Sequence, residues 1–251
     1  MIFSHGQTHY PVFAYAQDYP NQHIELWHSH AQIQILHTLQ GVLEVQTPCG
    51  FWIVPPNKAI WIPANYQHQL KAIGQVKVRG VFIQPNTDRQ QCKIISVSPL
   101  LQALMCSALN ITQVTPNSRE QRILDLILDE VTFLQETPLD LPQPQTAPLI
   151  DICDFLKANL NEQWTLDDIA TQFCMSSKTL ARYFKKELSM SFGTWLRQAK
   201  LLHALTLLAT EHSILDTALC LGYESPSAFT AMFKRETGTT PREYLKLSIS
   251  Q

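Results

Sequence analysis

No uncharged apolar run in this 251-residue chain approaches the roughly 18 residues that a membrane span needs, and residues 1–9 lack the basic and apolar regions of a secretion signal. A cytoplasmic protein is therefore expected, with no membrane partner. The six cysteines, at positions 49, 92, 106, 153, 174 and 220, include no C-x-x-C pair. A chain this long does not need disulfide staples, so free and mostly buried thiols are expected. Cys174 and Cys220 fall inside repeated units, but at unmatched positions, which weakens a redox role for them. Gly-x-Ser-x-Gly, Walker A and His-Glu-x-x-His motifs are all absent, which removes three common enzyme classes. The net charge of −2 argues against a nonspecific polyanion binder.

With 45% hydrophobic and 16% charged residues, the chain can bury one large core or two ordinary ones. The most informative feature is a stretch that occurs twice. Residues 184–196 recur as residues 233–245, 49 positions later, with Phe184/Phe233, Lys185/Lys234, Glu187/Glu236 and Leu196/Leu245 identical. Lys186/Arg235, Ser191/Thr240 and Trp195/Tyr244 are chemical equivalents. Solenoids need about three or more units to bury a continuous core, so two copies point to a paired module.

Residues 10–95 read as all-β, with short apolar runs at Ile33–Leu39, Val42–Val45, Trp52–Val54, Ala59–Ile62 and Val76–Ile83. Turn signals occur at Gln40-Gly41, at 47–50 and at Val54-Pro55-Pro56-Asn57. A barrel or sandwich follows, assigned to residues 1–95. Helical spacing then appears at 99–110 and again from Asn117 or Ser118. This pair, placed in residues 96–136, packs on the barrel alone or also forms a dimer seam. Residues 137–148 hold four prolines in twelve positions and read as a semi-rigid extended linker.

Residues 149–251 read as all-helical. Thr165 to Asp168 has the form of a helix N-cap, and Ser176-Ser177 caps the next helix. The helix over 194–209 is apolar around most of its circumference and should be a buried axle. Ile214–Leu221, a turn at 222–224, a cap at Ser225 and Pro226 at the first helical position complete a second unit. A short helix, a tight turn and a capped helix with a small, polar and basic outer face form a helix-turn-helix, whose second helix reads a DNA major groove. From Lys178 to Lys186 there are four basic residues and no acid, so local charge permits DNA binding.

Residues 164–245 resemble the tandem helix-turn-helix domain of AraC-family transcription regulators. The match runs through Leu166, Ile169, Ala170, Met175, Ser176, Leu180, Phe184, Leu221, Gly222, Tyr223 and Ser225. Its most specific run is Phe233, Lys234, Arg235, Gly238, Thr240, Pro241 and Tyr244. The resemblance implies two recognition helices in successive major-groove segments of double-stranded DNA, a homodimer and contact with RNA polymerase. Carried over by position, the first helix presents Ser177, Lys178, Ala181 and Arg182, and the second presents Ser225, Pro226, Ser227, Thr230 and Ala231. Arg182 can hold a guanine edge bidentately and Lys178 can reach base or phosphate. Lys185, Lys186, Lys234 and Arg235 position the backbone. Ala181, Pro226 and Ala231 depart toward apolar contact, and Ser189 stands where the other copy has Gly238. The two copies are thus expected to contribute unequally to specificity.

In the β domain, His28, His30 and Gln34 are expected on one strand face by period 2. Trp27–Gly41 resembles the first cupin-barrel motif, with Gln34 in the place of its glutamate, and Pro63–His68 resembles the second. The resemblance implies a cupin-like effector barrel in which His28, His30, Gln34 and His68 hold zinc, nickel or iron, or line a metal-free polar pocket, the remaining alternative being that the histidines are merely structural. His37 and His23 fall outside the motif, and Trp27, Trp52 and Trp61 are expected in the core. The resulting α+β multidomain chain reads as a DNA-binding regulator that senses a small molecule or metal ion. A metal-dependent cupin enzyme with an accessory DNA-binding tail is the alternative, disfavoured by glutamine in place of the carboxylate. A purely structural module leaves the duplicated basic helices without a purpose.

Overall fold

The structure, a computed structural model, describes residues 10–48, 50–85, 90–137, 139–210 and 212–249. Cys49 of the second expected turn and Pro138 of the expected linker lie outside these. The chain divides into two compact units, one comprising residues 1–43 and 54–138, the other 44–53 and 139–251.

The first unit is built on antiparallel strands β1 (Val12–Tyr19), β2 (Ile24–His28), β3 (Ile33–Thr47, its last residues belonging to the second unit), β5 (Lys58–Ile62), β6 (His68–Ile83) and β7 (Lys93–Ser96), while β4 (Gly50–Val54) belongs to the second unit as far as Ile53. The path runs β1-β6-β3-β5-β7-β8, where β8 is the two-residue Gln135–Glu136. Long β6 pairs with β3 and, in succession, with two further strands, Val76–Ile83 with β1 and its earlier part with β2. The expected turn at Gln40-Gly41 is absent. β3 runs on through it, because Gly41 at φ +71° bends the strand without ending it, and a Cβ there would lie 2.5 Å from the Gln75 carbonyl oxygen.

Two helices cover one face of this sheet. α1 (Pro99–Ala108) starts at the Ser98 cap, whose hydroxyl also donates to Glu130 of α2 (Arg119–Thr132) at 2.7 Å. Leu101, Leu104, Met105, Ile123, Leu124 and Ile127 pack against Val12, Ile33, Ile35, Trp61, Val81, Ile83 and Ile95 in one apolar core. Leu100, Leu126 and Phe133 stay exposed.

In the second unit, the middle of the expected linker is a strand, β9 (Asp140–Pro142), antiparallel to β4. Helices α3 (Ala147–Ala158), α4 (Leu166–Gln172), α5 (Ser177–Leu188), α6 (Phe192–Ala209), α7 (Ile214–Cys220), α8 (Pro226–Thr237) and α9 (Pro241–Ile249) follow. Local signals explain their ends. Thr165 and Asp168 form a complete capping box on α4, and Ser176, Ser191, Ser213 and Ser225 each accept a backbone N–H at the start of a helix. α6 is buried nearly all round, as its sequence implied, and even its Gln198 and Lys200 are inside. Cys174 and Cys220 are exposed, contrary to the expectation for most of the thiols, because both close short outer helices. No helix among the described residues is long and apolar enough to cross a membrane.

The two copies end their second helices alike: Ser189 after α5 and Gly238 after α8 are both left-handed, at φ +56° and +80°. Only glycine adopts that conformation without penalty. Replacing Ser189 by Gly is expected to raise unfolding free energy by about 0.5–1 kcal/mol, and Gly238→Ala to lower it by about 1 kcal/mol, in urea titrations. A Cβ at Gly238 meets no atom within 4 Å, so the second loss isolates backbone strain.

Candidate functional site

The predicted effector residues do converge, but not by the expected route. β2 ends at His28, residues 29–32 turn, and Gln34 sits on β3. The two-residue period therefore breaks before it reaches Gln34. The turn, and β6 delivering His68, bring the rings together instead: centroids lie 4.2 Å apart for His28 and His68, 5.1 Å for His30 and His68, and 6.2 Å for His28 and His30.

Backbone carbonyls decide which nitrogens remain available. Nδ1 of His28, His30 and His68 lies 2.8, 2.7 and 2.8 Å from the carbonyls of Leu26, Gln32 and Tyr66, so each Nδ1 carries a proton and donates. A neutral ring then offers only the Nε2 lone pair. That of His30 is committed, 2.9 Å from the Gln34 carboxamide, whose other end is 2.6 Å from the Tyr15 hydroxyl. The structure turns Gln34 Oε1 toward His30 and lets Gln34 Nε2–H donate to the Tyr15 hydroxyl; with His30 neutral the amide is flipped, donating to Nε2 and accepting from Tyr15. Among the described residues, buried His68 Nε2 has no hydrogen-bond partner.

Burial lowers the pKa of His30, and pushes His68 down to about 4. Desolvation keeps the Tyr15 and Tyr19 hydroxyls protonated by raising both far above their usual range. Among the described residues, no three His, Cys, Asp or Glu side chains are arranged to hold a metal ion. The donor set gives the reason: one imidazole is turned onto an amide, and the position where a cupin places its carboxylate is neutral.

Beside the histidines opens a cleft of about 1480 Å³, walled by β1, β2, Phe82 and the segment from Ala108 to Val114. The sequence reading missed Glu25, which lines it. The Glu25 carboxylate accepts from Tyr19 at 2.8 Å and lies 3.9 Å from His28 Nε2. Its spacing of three residues before His28 was the available signal. His23 also lines the cleft, stacked on Tyr19 at 5.2 Å, as does Trp27, which is 45% exposed rather than in the core. Trp52 and Trp61 are buried as expected.

The surface expected to read DNA is simpler. Lys178, Ala181, Arg182, Lys185 and Lys186 are exposed along α5, while Leu180, Phe184 and Leu188 face inward. Ser177 is half-buried and its hydroxyl donates to Asp167 of α4, tying the two helices of the unit. On α8, Pro226, Ser227, Thr230, Ala231 and Lys234 line a shallow hollow of about 340 Å³, and Ser225 caps the helix. Arg235 is held by Glu236 at 3.0 Å.

Two family models match the chain: an AraC-like ligand binding domain over residues 9–126 and a helix-turn-helix domain over residues 169–247. The HTH-type transcriptional regulator NimR of Escherichia coli (strain K12) is 30% identical over 223 residues, 87% of this chain and 81% of that protein. The HTH-type transcriptional activator RhaR of Yersinia pestis bv. Antiqua (strain Angola) is 32% identical over 122 residues, 48% of this chain and 41% of that protein. Among solved structures, the C-terminal domain of AraT, a response regulator from Geobacillus stearothermophilus, matches at 26% identity and a TM-score of 0.39, covering 40% of this chain and 85% of that one.

His37, outside the cupin-like motif, is fully buried on β3 with neither ring nitrogen hydrogen-bonded among the described residues, and burial pushes its pKa down to about 4. The unfolded chain, with histidine near 6.5, binds more protons between pH 6.5 and 4. Stability present above pH 6.5 is therefore lost as pH falls toward 4. His37→Leu is expected to leave stability at pH 7 unchanged or raised by about 1 kcal/mol, and to remove roughly 1–2 kcal/mol of the loss between pH 7 and pH 5. Denaturant titrations at the two pH values test this; an unchanged acid loss would refute it.

Proposed function

Since the chain belongs to the AraC family of transcriptional regulators, we propose that it reads its operator mainly through the exposed basic face of α5 and takes its effector in the cleft beside His28, His30 and His68. The chain is an AraC-type DNA-binding regulator with a ligand-binding domain, as its relatives are regulators and not enzymes. The observation that carries the unequal reading is the contrast between the two second helices. α5 offers Arg182 and Lys178 for base edges, with Lys185 and Lys186 exposed for phosphates, whereas α8 offers a mostly apolar hollow and an Arg235 already paired.

For the effector domain, the imidazole and amide bonding favours a small-molecule pocket over a resident ion. Exposed Leu126 and Phe133 support a homodimer contact on the α2 side.

With DNA from upstream of its own gene, Arg182→Ala is expected to weaken specific binding about 5- to 150-fold, and Thr230→Ala by less. Lys185→Ala should weaken all sequences alike and lower the salt slope by about one. Mobility-shift titrations at several salt concentrations measure both effects. An Arg182→Ala protein that binds as tightly as the parent sinks the assignment to α5. Elemental analysis of protein purified without a histidine tag is expected to find no stoichiometric zinc, nickel or iron; a bound ion lost in His68→Ala would reverse the preference for a small molecule.

A further inference from the structure

The chemistry of the cleft wall selects among effectors. Among its described lining residues there is no Lys or Arg, and Glu25 is the one carboxylate. An anionic ligand, whether carboxylate, phosphate or sugar acid, would find no counter-charge there and would meet Glu25 instead. A cation finds the opposite. Glu25 is fixed by its Tyr19 bond and keeps part of its carboxylate open, the side chain being 29% exposed.

The rings add to this. Tyr10, Phe13, Tyr15, Tyr19, Trp27 and Phe82 all line the cleft, and aromatic faces attract cations. Phe82 is packed between Phe13 and Tyr15, at 5.1 and 4.9 Å, which leaves Trp27 as the exposed ring. The polar end supplies acceptors. With Nδ1 donating to a carbonyl, His28 turns Nε2 toward Glu25 at 3.9 Å, and among the described residues the buried Nε2 of His68 has no hydrogen-bond partner. Such groups suit the N–H donors of a ligand.

We propose that the cleft takes a cationic organic effector, an ammonium or amidinium group on an aromatic or aliphatic body, with Glu25 as its counter-ion and Trp27 as its ring partner. The proposal rests on the reading of this cleft as the effector site, and adds the class of ligand.

Three probes of one shape and different charge test it on the full chain by isothermal titration calorimetry: phenethylammonium, 2-phenylethanol and phenylacetate. Phenethylammonium is expected to bind most tightly. Glu25→Gln keeps the acceptor for Tyr19 and should weaken ammonium binding by about tenfold or more, and Trp27→Ala by about two- to fivefold. The comparison of probes on the parent protein needs no variant to fold. Absence of ammonium binding overturns the proposal. Equal or tighter binding of the alcohol or carboxylate, weakened by Trp27→Ala, overturns the ligand class and leaves the cleft as the site. Ammonium binding untouched by both substitutions places the ligand elsewhere and overturns the cleft reading as well.

Discussion

The DNA-binding half depends on one helix being buried nearly all round. α6 is shared by both helix-turn-helix units, and its burial extends to Lys200, an ammonium that cannot stay inside without partners. It has them: Nζ donates to the carbonyls of Glu162, before α4, at 3.2 Å and of Leu221, after α7, at 2.9 Å, and lies 5.4 Å from the centre of the Tyr223 ring. The buried charge thus joins the entry of the first unit to the turn of the second. Burial lowers the Lys200 pKa, and a nearby Glu162 opposes the shift. Moving one unit relative to the other would strip two hydrogen bonds from a desolvated cation, so the spacing of the recognition helices is rigid.

The repeated stretch supplies the other half of that rigidity. Phe184 meets Trp195 edge-on at 5.8 Å, and Phe233 meets Tyr244 in the same manner at 5.6 Å. Each recognition helix is thereby clasped to the helix after it. The repeated glutamates work in the other direction. Glu187 accepts from the Gln145 and Thr146 amides and the Thr146 hydroxyl, binding α5 to the start of α3, while Glu236 faces Arg197 of α6 at 3.9 Å. Thr146 consequently gives its own helix no side-chain cap; Glu187 does so from outside. One glutamate is spent on backbone amides and leaves its neighbouring lysines uncommitted, whereas the other draws in Arg235. The electrostatic difference between the reading faces follows from what each glutamate holds.

What the sequence made legible follows the range of the forces involved. Helix caps are set within a few residues, and Ser176 and Ser225 could be placed from local pattern, whereas Arg182 and Thr230 were placed by the family resemblance. The buried axle was legible because an apolar circumference has one physical meaning. The β domain was less so. Gly41 signals both a turn and a kink inside a strand, and only the approach of Gln75 from β6 distinguishes them. The three histidines of the cupin-like motif do come together, yet not on one strand: β2 ends at His28, where it pairs with His68 of β6, and the chain breaks at residues 29–32 before β3 begins. Glu25 was missed although its spacing before His28 offered a signal, and the bond of His30 to Gln34 was invisible because it depends on how residues 29–32 turn.

Gln34 itself shows how a barrel of this kind can serve as a sensor. A carboxylate buried at that position, beside three imidazoles, would carry a desolvation cost of several kcal/mol unless a cation or a proton offset it. A carboxamide there is satisfied by Tyr15 and His30 alone. The negative charge sits instead on Glu25, where a tyrosine hydroxyl and partial exposure stabilise it without any ligand. The polar end of the cleft is therefore stable when empty. An enzyme with a resident metal has no need of that property, but a regulator must fold and persist in both of its states, and moving the charge from the core of the cluster to the wall of the cleft makes this possible while keeping a group that a ligand can engage.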